Sequence, residues 1–200
     1  MVESAPGELV RLAMDKTLNI LAFAGSLRKG SYNKILLRVA VALAPKDAII
    51  NVFDLEGIPP FNQDLEQSLP EKVKDFKAKI KAADAILFVT PEYNYSVPGV
   101  LKNAIDWCSR PVGNNSWEGK PVAIMSASTG MLGGARAQYN LRQIFVMLDM
   151  KPINKPEIIV NFAAQKFDEK GNLTDDKTKE LISTLLTALV TWTRRLQARA

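Results

Sequence analysis

Hydrophobic and polar positions follow two rhythms along this chain. Leu18-Asn19-Ile20-Leu21-Ala22-Phe23-Ala24 is an apolar run without polar alternation, the pattern of a strand buried on both faces. A polar, glycine-bounded stretch from Gly25 to Asn33 follows, and then Ile35, Leu36, Val39, Ala40 and Leu43 mark one face of a helix. The pairing of strand and helix recurs. Ala48–Phe53 reads as a second strand, and Pro70 opens a helix with Val73, Phe76, Ile80 and Ala83 on its core side. Ala85–Val89 is a third strand, followed by a helix over Val100–Trp107. Lys120–Ser126 is a fourth, followed by a helix carrying Ala137, Leu141, Ile144, Phe145 and Leu148. Ile158–Val160 makes a short fifth strand. Thr174 is placed to cap a last helix, with Asp175 and Asp176 in its first turn and Ile182, Leu185, Leu189, Trp192 and Leu196 buried. Five alternations predict an α/β fold: a doubly wound, five-stranded parallel sheet of order 2-1-3-4-5 with helices on both faces.

Residues 1–16 fall outside this pattern and read as a non-core leader, leaving 17–200 as a single domain. Leu9, Val10, Leu12 and Ala13 could form a short amphipathic turn there. Glu3 and Glu8 argue against a signal peptide, and Met14 offers a second start for translation just before the first strand.

Three loops hold the chemistry. The first joins strand one to its helix, a geometry that presents backbone N–H groups and a positive helix end to an anion. Gly25 and Gly30 alone cannot supply a dinucleotide G-x-G-x-x-G. They fit the first six positions of a P-loop, but Ser31 and Tyr32 stand where Lys and Ser/Thr belong, so an NTPase is disfavoured. Ser26, Ser31 and Asn33 as neutral partners, with Arg28 as the charged one, suit a terminal phosphate monoester. In the alternative, Ser31 only caps the helix and Arg28 is solvated. The second loop, Thr90 to Gly99, packs two tyrosines, a carboxylate, an amide and two prolines into one short connection. Its rigid backbone amides and aromatic faces suit a flat polar ring. The third, Ala127 to Gly134, follows strand four. In a 2-1-3-4-5 sheet these loops meet at the switch between strands one and three, where ligands bind. Phosphate at one end and a flat polar ring at the other describes flavin mononucleotide. The long loop Asp54–Leu69, about sixteen residues, is a further binding-loop candidate.

Composition narrows the chemistry more than the fold. The chain has 200 residues, no histidine and one cysteine, Cys108. Without histidine there is no Ser-His or Cys-His catalysis and no usual general base at neutral pH, which points to a cofactor as the carrier of the chemistry. A lone cysteine excludes an internal disulfide and suggests a reducing compartment, the cytoplasm; Cys108 itself reads as a core residue beside Trp107. The net charge of +5 comes from scattered basic residues and speaks against an acidic one-electron carrier, while giving no nucleic-acid face. No apolar run is long enough to span a membrane.

Gly25-Ser26-Leu27-Arg28-x-x-Ser31-x-Asn33 and Pro91-Glu92-Tyr93-Asn94-x-Ser96-x-Pro98-Gly99-x-Leu101-Lys102-Asn103-Ala104-Ile105-Asp106-Trp107 resemble the NAD(P)H-dependent FMN reductase family, most closely its bacterial quinone and chromate reductases. The likeness runs from about Leu18 to the last helix. It implies a flavodoxin-like fold with bound FMN. It implies that Ser26, Arg28, Ser31 and Asn33, with the backbone of Leu27 and Tyr32, hold the phosphate. Pro91, Glu92, Tyr93 and Asn94 would line the ribityl chain and ring, with Ala127, through its backbone, and Ser128 at the ring's other edge. Glu92 has an alternative, capping the following helix or pairing with Lys102. The resemblance further implies ping-pong turnover with NADPH or NADH as donor. Quinones would be acceptors, as would chromate, azo dyes, ferric chelates or free flavin. A homodimer or homotetramer is implied as well.

Overall fold

A computed structural model describes residues 16–198. The expectations for residues 1–15, including the amphipathic turn and the start at Met14, lie outside the described residues. The elements are β1 (Leu18–Ala24), α1 (Tyr32–Ala42), β2 (Ala48–Val52), α2 (Glu71–Ala82), β3 (Ala85–Thr90) and α3 (Gly99–Ser109). They continue with β4 (Pro121–Ala127), α4 (Ala135–Met147), β5 (Lys151–Pro152), β6 (Ile158–Val160) and α5 (Asp176–Gln197).

The sheet is parallel in the order β2-β1-β3-β4-β5, with β6 also paired to β4. The expected order therefore holds, with one correction: the fifth position is a broken edge. Lys151–Pro152 pair with the start of β4 and Ile158–Val160 with its end. Pro152 and Pro156 lie on this edge, and a proline has no N–H to give a ladder.

The central strands β1, β3 and β4 lack polar alternation because both faces are covered, whereas edge strand β2 leaves Ile49 and Val52 exposed. Leu18, Ile20, Ala22 and Ala24 of β1 join Leu87 of β3 and Met125 of β4 in one core under α1 and α5. Leu21 and Phe23 join Phe88 and Ile124 in a second core under α2, α3 and α4. In that second core Phe23 meets Phe76 and Phe88 edge-on, with ring centroids 5.3 and 4.8 Å apart. The expected helix stripes recur with small shifts; α1 buries Leu36, Leu37 and Ala40.

Two local details depart from expectation. Asp175, not Thr174, caps α5, its carboxylate accepting from the Thr178 N–H at 2.9 Å. Thr174 instead donates to the Lys166 carbonyl. Lys77, inside α2, is buried to 5% exposure. Its ammonium donates to the carbonyls of Cys108, Arg110 and Asn114 at 3.1, 2.5 and 3.0 Å, tying down the chain after α3. Burial lowers the Lys77 pKa below the ordinary lysine value. Among the described residues, no helix is long and apolar enough to cross a membrane.

Candidate functional site

β1 ends where the Gly25 N–H donates to the Val89 carbonyl at 2.8 Å, and the chain then leaves the sheet. Gly25 is needed there, because a Cβ would stand 3.0 Å from both Leu101 Cδ2 and Thr90 Oγ1. The loop closes through the Ser31 N–H on the Arg28 carbonyl at 3.1 Å. Ser31 caps α1, its hydroxyl oxygen accepting from the Asn33 N–H. Its hydroxyl proton stays available, so the capping role and a ligand role are compatible. Among the described residues, the N–H groups of Ser26, Leu27, Arg28, Lys29, Gly30 and Tyr32 have no protein acceptor. Ser26 is only 2% exposed, and a buried N–H left without a partner is rare. A row of unpartnered amides ending at a helix N-terminus is the donor set an anion needs. Arg28 is exposed, makes no ion pair among the described residues, and lays Nη1 over Gly30. Tyr32 turns away to pack on Phe167, ring centroids 5.5 Å apart, so only its backbone faces the loop.

The second loop is braced rather than free. Tyr93 and Ser96 exchange both backbone hydrogen bonds, at 3.1 and 3.0 Å, around Asn94 and Tyr95. Both central residues have positive φ, 48° and 69°, as in a type I′ turn. Without glycine this conformation is strained, and α4 holds it in place. The Asn140 amide donates to the Tyr95 carbonyl and to Ser96 Oγ, both at 3.1 Å. The Arg136 guanidinium lies 3.6 Å over the Tyr95 ring. Glu92 completes the brace, its carboxylate accepting from the N–H of Arg136 at 3.0 Å and of Ala137 at 3.4 Å. It also takes Arg136 Nη1 at 2.8 Å. Glu92 is thus a cap on α4, neither on the helix that follows it nor paired with Lys102 as the alternative expected. Lys102 pairs with Asp106. The Glu92 side chain is turned to α4 and is not free to line a ring. Tyr93 points the other way: its hydroxyl meets Ser26 Oγ at 3.2 Å, joining the first two loops.

Asn33 departs from its expected role in a similar way. It is 2% exposed, and its Nδ2 donates to the Ala127 carbonyl while its Oδ1 accepts from the Ala127 N–H, both at 2.9 Å. The side chain stitches the start of α1 to the end of β4. The third loop then turns through Ser128, whose N–H donates to the Val160 carbonyl. It enters α4 at Gly134, where φ is 95° and a Cβ would lie 2.7 Å from that of Ser126. The predicted loops therefore meet at one end of the sheet, bridged by Ser26–Tyr93 and Asn33–Ala127.

The conspicuous stripe on α3 serves another purpose. Asn103 accepts from the Phe61 N–H at 2.7 Å and donates to the Pro59 carbonyl, which also takes the Trp107 indole N–H. Arg110 pairs with Glu66. These residues pin the long loop 54–69 onto α3, a tie that no local sequence pattern announces. Cys108, on the inner side of α3, is fully buried, and burial pushes its thiol pKa up to about 12. A cavity of about 730 Å³ lies away from these loops, between α5 and the β5–β6 break, lined by Trp192, Lys155 and Arg195. It holds none of the convergent amides of the switch-point crevice.

The crevice donors fit the phosphate of FMN: free amides, two hydroxyls and one unpaired guanidinium among the described residues. The family model of NADPH-dependent FMN reductases matches residues 18–165. Over 185 residues the chain is 50% identical to an NAD(P)H-dependent FMN reductase of Pseudomonas aeruginosa, covering 92% of this chain and 100% of that protein. It is 41% identical over 177 residues to a 2-hydroxy-1,4-benzoquinone reductase of a Burkholderia species, covering 88% and 97%. Among solved structures, the flavoenzyme NAD(P)H:(acceptor) oxidoreductase FerB of Paracoccus denitrificans superposes with a TM-score of 0.82 at 36% identity, covering 89% and 98%. A flavodoxin-like sheet, loops convergent on its switch point and a match over most of its length together make this chain a member of the NADPH-dependent FMN reductase family.

Proposed function

We propose that this protein is an FMN-dependent NAD(P)H:quinone oxidoreductase. The observation that carries the reading is the run of unpartnered amides from Ser26 to Gly30 at the switch point, tied through Ser26 to Tyr93 of the ring-side loop. Relatives that are named quinone reductases support the choice of acceptor. When bound, FMN would supply the redox chemistry, namely hydride and two-electron transfer between NAD(P)H and the acceptor.

The chain's own residues bind and orient. Ser26, Ser31, Arg28 and the amides of Leu27–Gly30 hold the phosphate; each charge-assisted hydrogen bond contributes on the order of 1.5–3 kcal/mol. Pro91, Tyr93 and Asn94 present backbone and one aromatic edge to the ring, with the Ser128 side chain opposite. The Ala127 N–H and carbonyl are taken up by Asn33, so Ala127 anchors that edge and has no free N–H to give the ring. Glu92 and Asn33 act one step back, fixing those loops. No side chain here need move a proton, in keeping with the absence of histidine. Alignment alone can lower a barrier by roughly 7–11 kcal/mol in well-oriented reactions. Chromate, azo dyes and ferric chelates are side acceptors in this reading, and the setting is the cytoplasm. Residues 17–200 act as one domain. Exposed Met131, Tyr139, Val146 and Met147 on and before α4 support association into a dimer or tetramer.

A second reading, release of reduced FMN as product, is favoured by the relative that is named an FMN reductase. Steady-state NADPH and NADH consumption, with and without benzoquinone, tests both. Quinone-dependent consumption by protein that keeps its flavin through gel filtration supports the first. Consumption that needs added free FMN and ignores quinone supports the second.

A further inference from the structure

We infer that Asn33 is a positioning residue that sets the ring side of the cofactor site from the phosphate side. The inference rests on the proposed FMN site. The fragment G-S-x-R-x-x-S-x-N makes Asn33 look like a phosphate ligand, because it stands in the first turn of a helix whose N-terminus faces the cradle. Its side chain does something else. Both carboxamide heavy atoms bond to one residue, Ala127, 94 positions away. Oδ1 accepts the Ala127 N–H and Nδ2 donates to the Ala127 carbonyl, each at 2.9 Å in a buried setting.

The physical role follows from where β4 ends. Beyond Thr90, which is opposite Ser126, β3 has no further strand residue to offer β4. β6 carries the ladder on β4's other side, with Val160 opposite Ala127. The N–H and carbonyl of Ala127 on the side β3 has left would lack partners, and buried backbone groups without partners are costly. The Asn33 carboxamide, which has the same donor and acceptor as a peptide unit, takes the place of the missing strand. The start of α1 and the last residue of β4 are thereby locked at a fixed separation, with the phosphate cradle on one side of the lock and Ala127-Ser128 on the other. Ser31 adds to the lock by accepting the Asn33 N–H, so the cap and the strut share one residue.

A phosphate ligand and a strut differ in one measurable way. A ligand matters only to a flavin that carries phosphate. A strut matters to the ring, with or without phosphate. The experiment titrates full-length protein, stripped of flavin, with FMN and with riboflavin by fluorescence quenching, for wild type, Asn33→Ala and the near-isosteric Asn33→Asp. The expected result is a loss of about tenfold in affinity for both flavins, the size of roughly one net hydrogen bond. Asn33→Asp adds a second readout. Its ionised carboxylate can accept from the Ala127 N–H but repels the Ala127 carbonyl, and its protonated form can serve both. Burial raises a carboxyl pKa, so riboflavin affinity in Asn33→Asp recovers as pH falls from about 8 to about 5, while wild type stays flat. Riboflavin is used for the profile because it has no phosphate to titrate. Weaker FMN binding with unchanged riboflavin binding would make Asn33 a direct phosphate ligand and overturn the inference. Unchanged binding of both flavins, or a flat Asn33→Asp profile, overturns it too. Wild-type protein that binds neither flavin overturns the proposed function itself, a different failure from a selective loss in the variants.

Discussion

Replacing Glu92 by alanine separates a loop brace from a flavin ligand. In the structure both carboxylate oxygens are spent on α4: one on the N–H groups of Arg136 and Ala137, the other on the Arg136 guanidinium. Losing a side-chain cap costs about 0.5–2 kcal/mol, and removing a negative charge from a helix N-terminus costs about 0.3–1 kcal/mol more. The ion pair adds little beyond that, because the Arg136 side chain is 36% exposed and exposed pairs are worth roughly 0–1 kcal/mol. The total is about 1–4 kcal/mol with a midpoint of about 2.5, which for a chain of this size lowers the melting temperature by about 5–10 °C at the midpoint. Glu92→Gln keeps one oxygen for the Arg136 N–H and should lose about half as much. The assay is thermal and urea unfolding of flavin-free protein. A ligand role predicts a destabilised variant only when flavin is present; the brace predicts the loss without it. Flavin-free Glu92→Ala that unfolds with wild-type parameters would refute the brace.

Arg28 is exposed and unpaired among the described residues, so Arg28→Ala should leave flavin-free stability within about 0.5 kcal/mol. It should weaken FMN binding by about 10- to 100-fold, read by equilibrium dialysis. Cys108 stays a buried thiol up to about 12; native protein should resist a thiol reagent at pH 8 and react fully in denaturant, and fast native labelling would contradict its burial. Because folding raises this pKa, the Cys108 contribution is intact below its ordinary value near 9.0 and is lost as pH climbs toward 12. The alkaline fall in stability should therefore be shallower in Cys108→Ala. Lys77→Met leaves three carbonyls without their shared donor and should cost about 2–4 kcal/mol in urea unfolding; an unchanged midpoint would show that water replaces the ammonium.

The sheet order was legible because strands buried on both faces print as unbroken apolar runs, and the loops between them carry their polar residues in short clusters. The broken fifth strand was less so: three apolar residues at Ile158–Val160 read as a strand, while Lys151–Pro152 has no pattern to detect. The two amide and carboxylate assignments that shifted, Asn33 and Glu92, share one cause. Their partners lie 94 and 44–45 residues away, on elements that only the sheet topology brings near. A polar side chain beside a ligand loop reads as a ligand in one dimension, and the competing backbone groups appear in three. Asn103 and Trp107 were visible as part of a motif, but not their grip on loop 54–69 nor that of Arg110, since a loop without a hydrophobic period does not show what it packs against. Cys108 could be assigned to the core from its place beside Trp107 on an amphipathic helix, and the structure buries both.

The most direct test of the account is a double-mixing stopped-flow trace of FMN-loaded protein under anaerobic conditions, first with NADPH and then with benzoquinone. The account predicts that the yellow absorbance bleaches with the nicotinamide and returns with the quinone, each step faster than steady-state turnover requires. Protein that holds flavin but keeps its colour with both NADPH and NADH would contradict the oxidoreductase reading, leaving a flavin-binding fold without this activity.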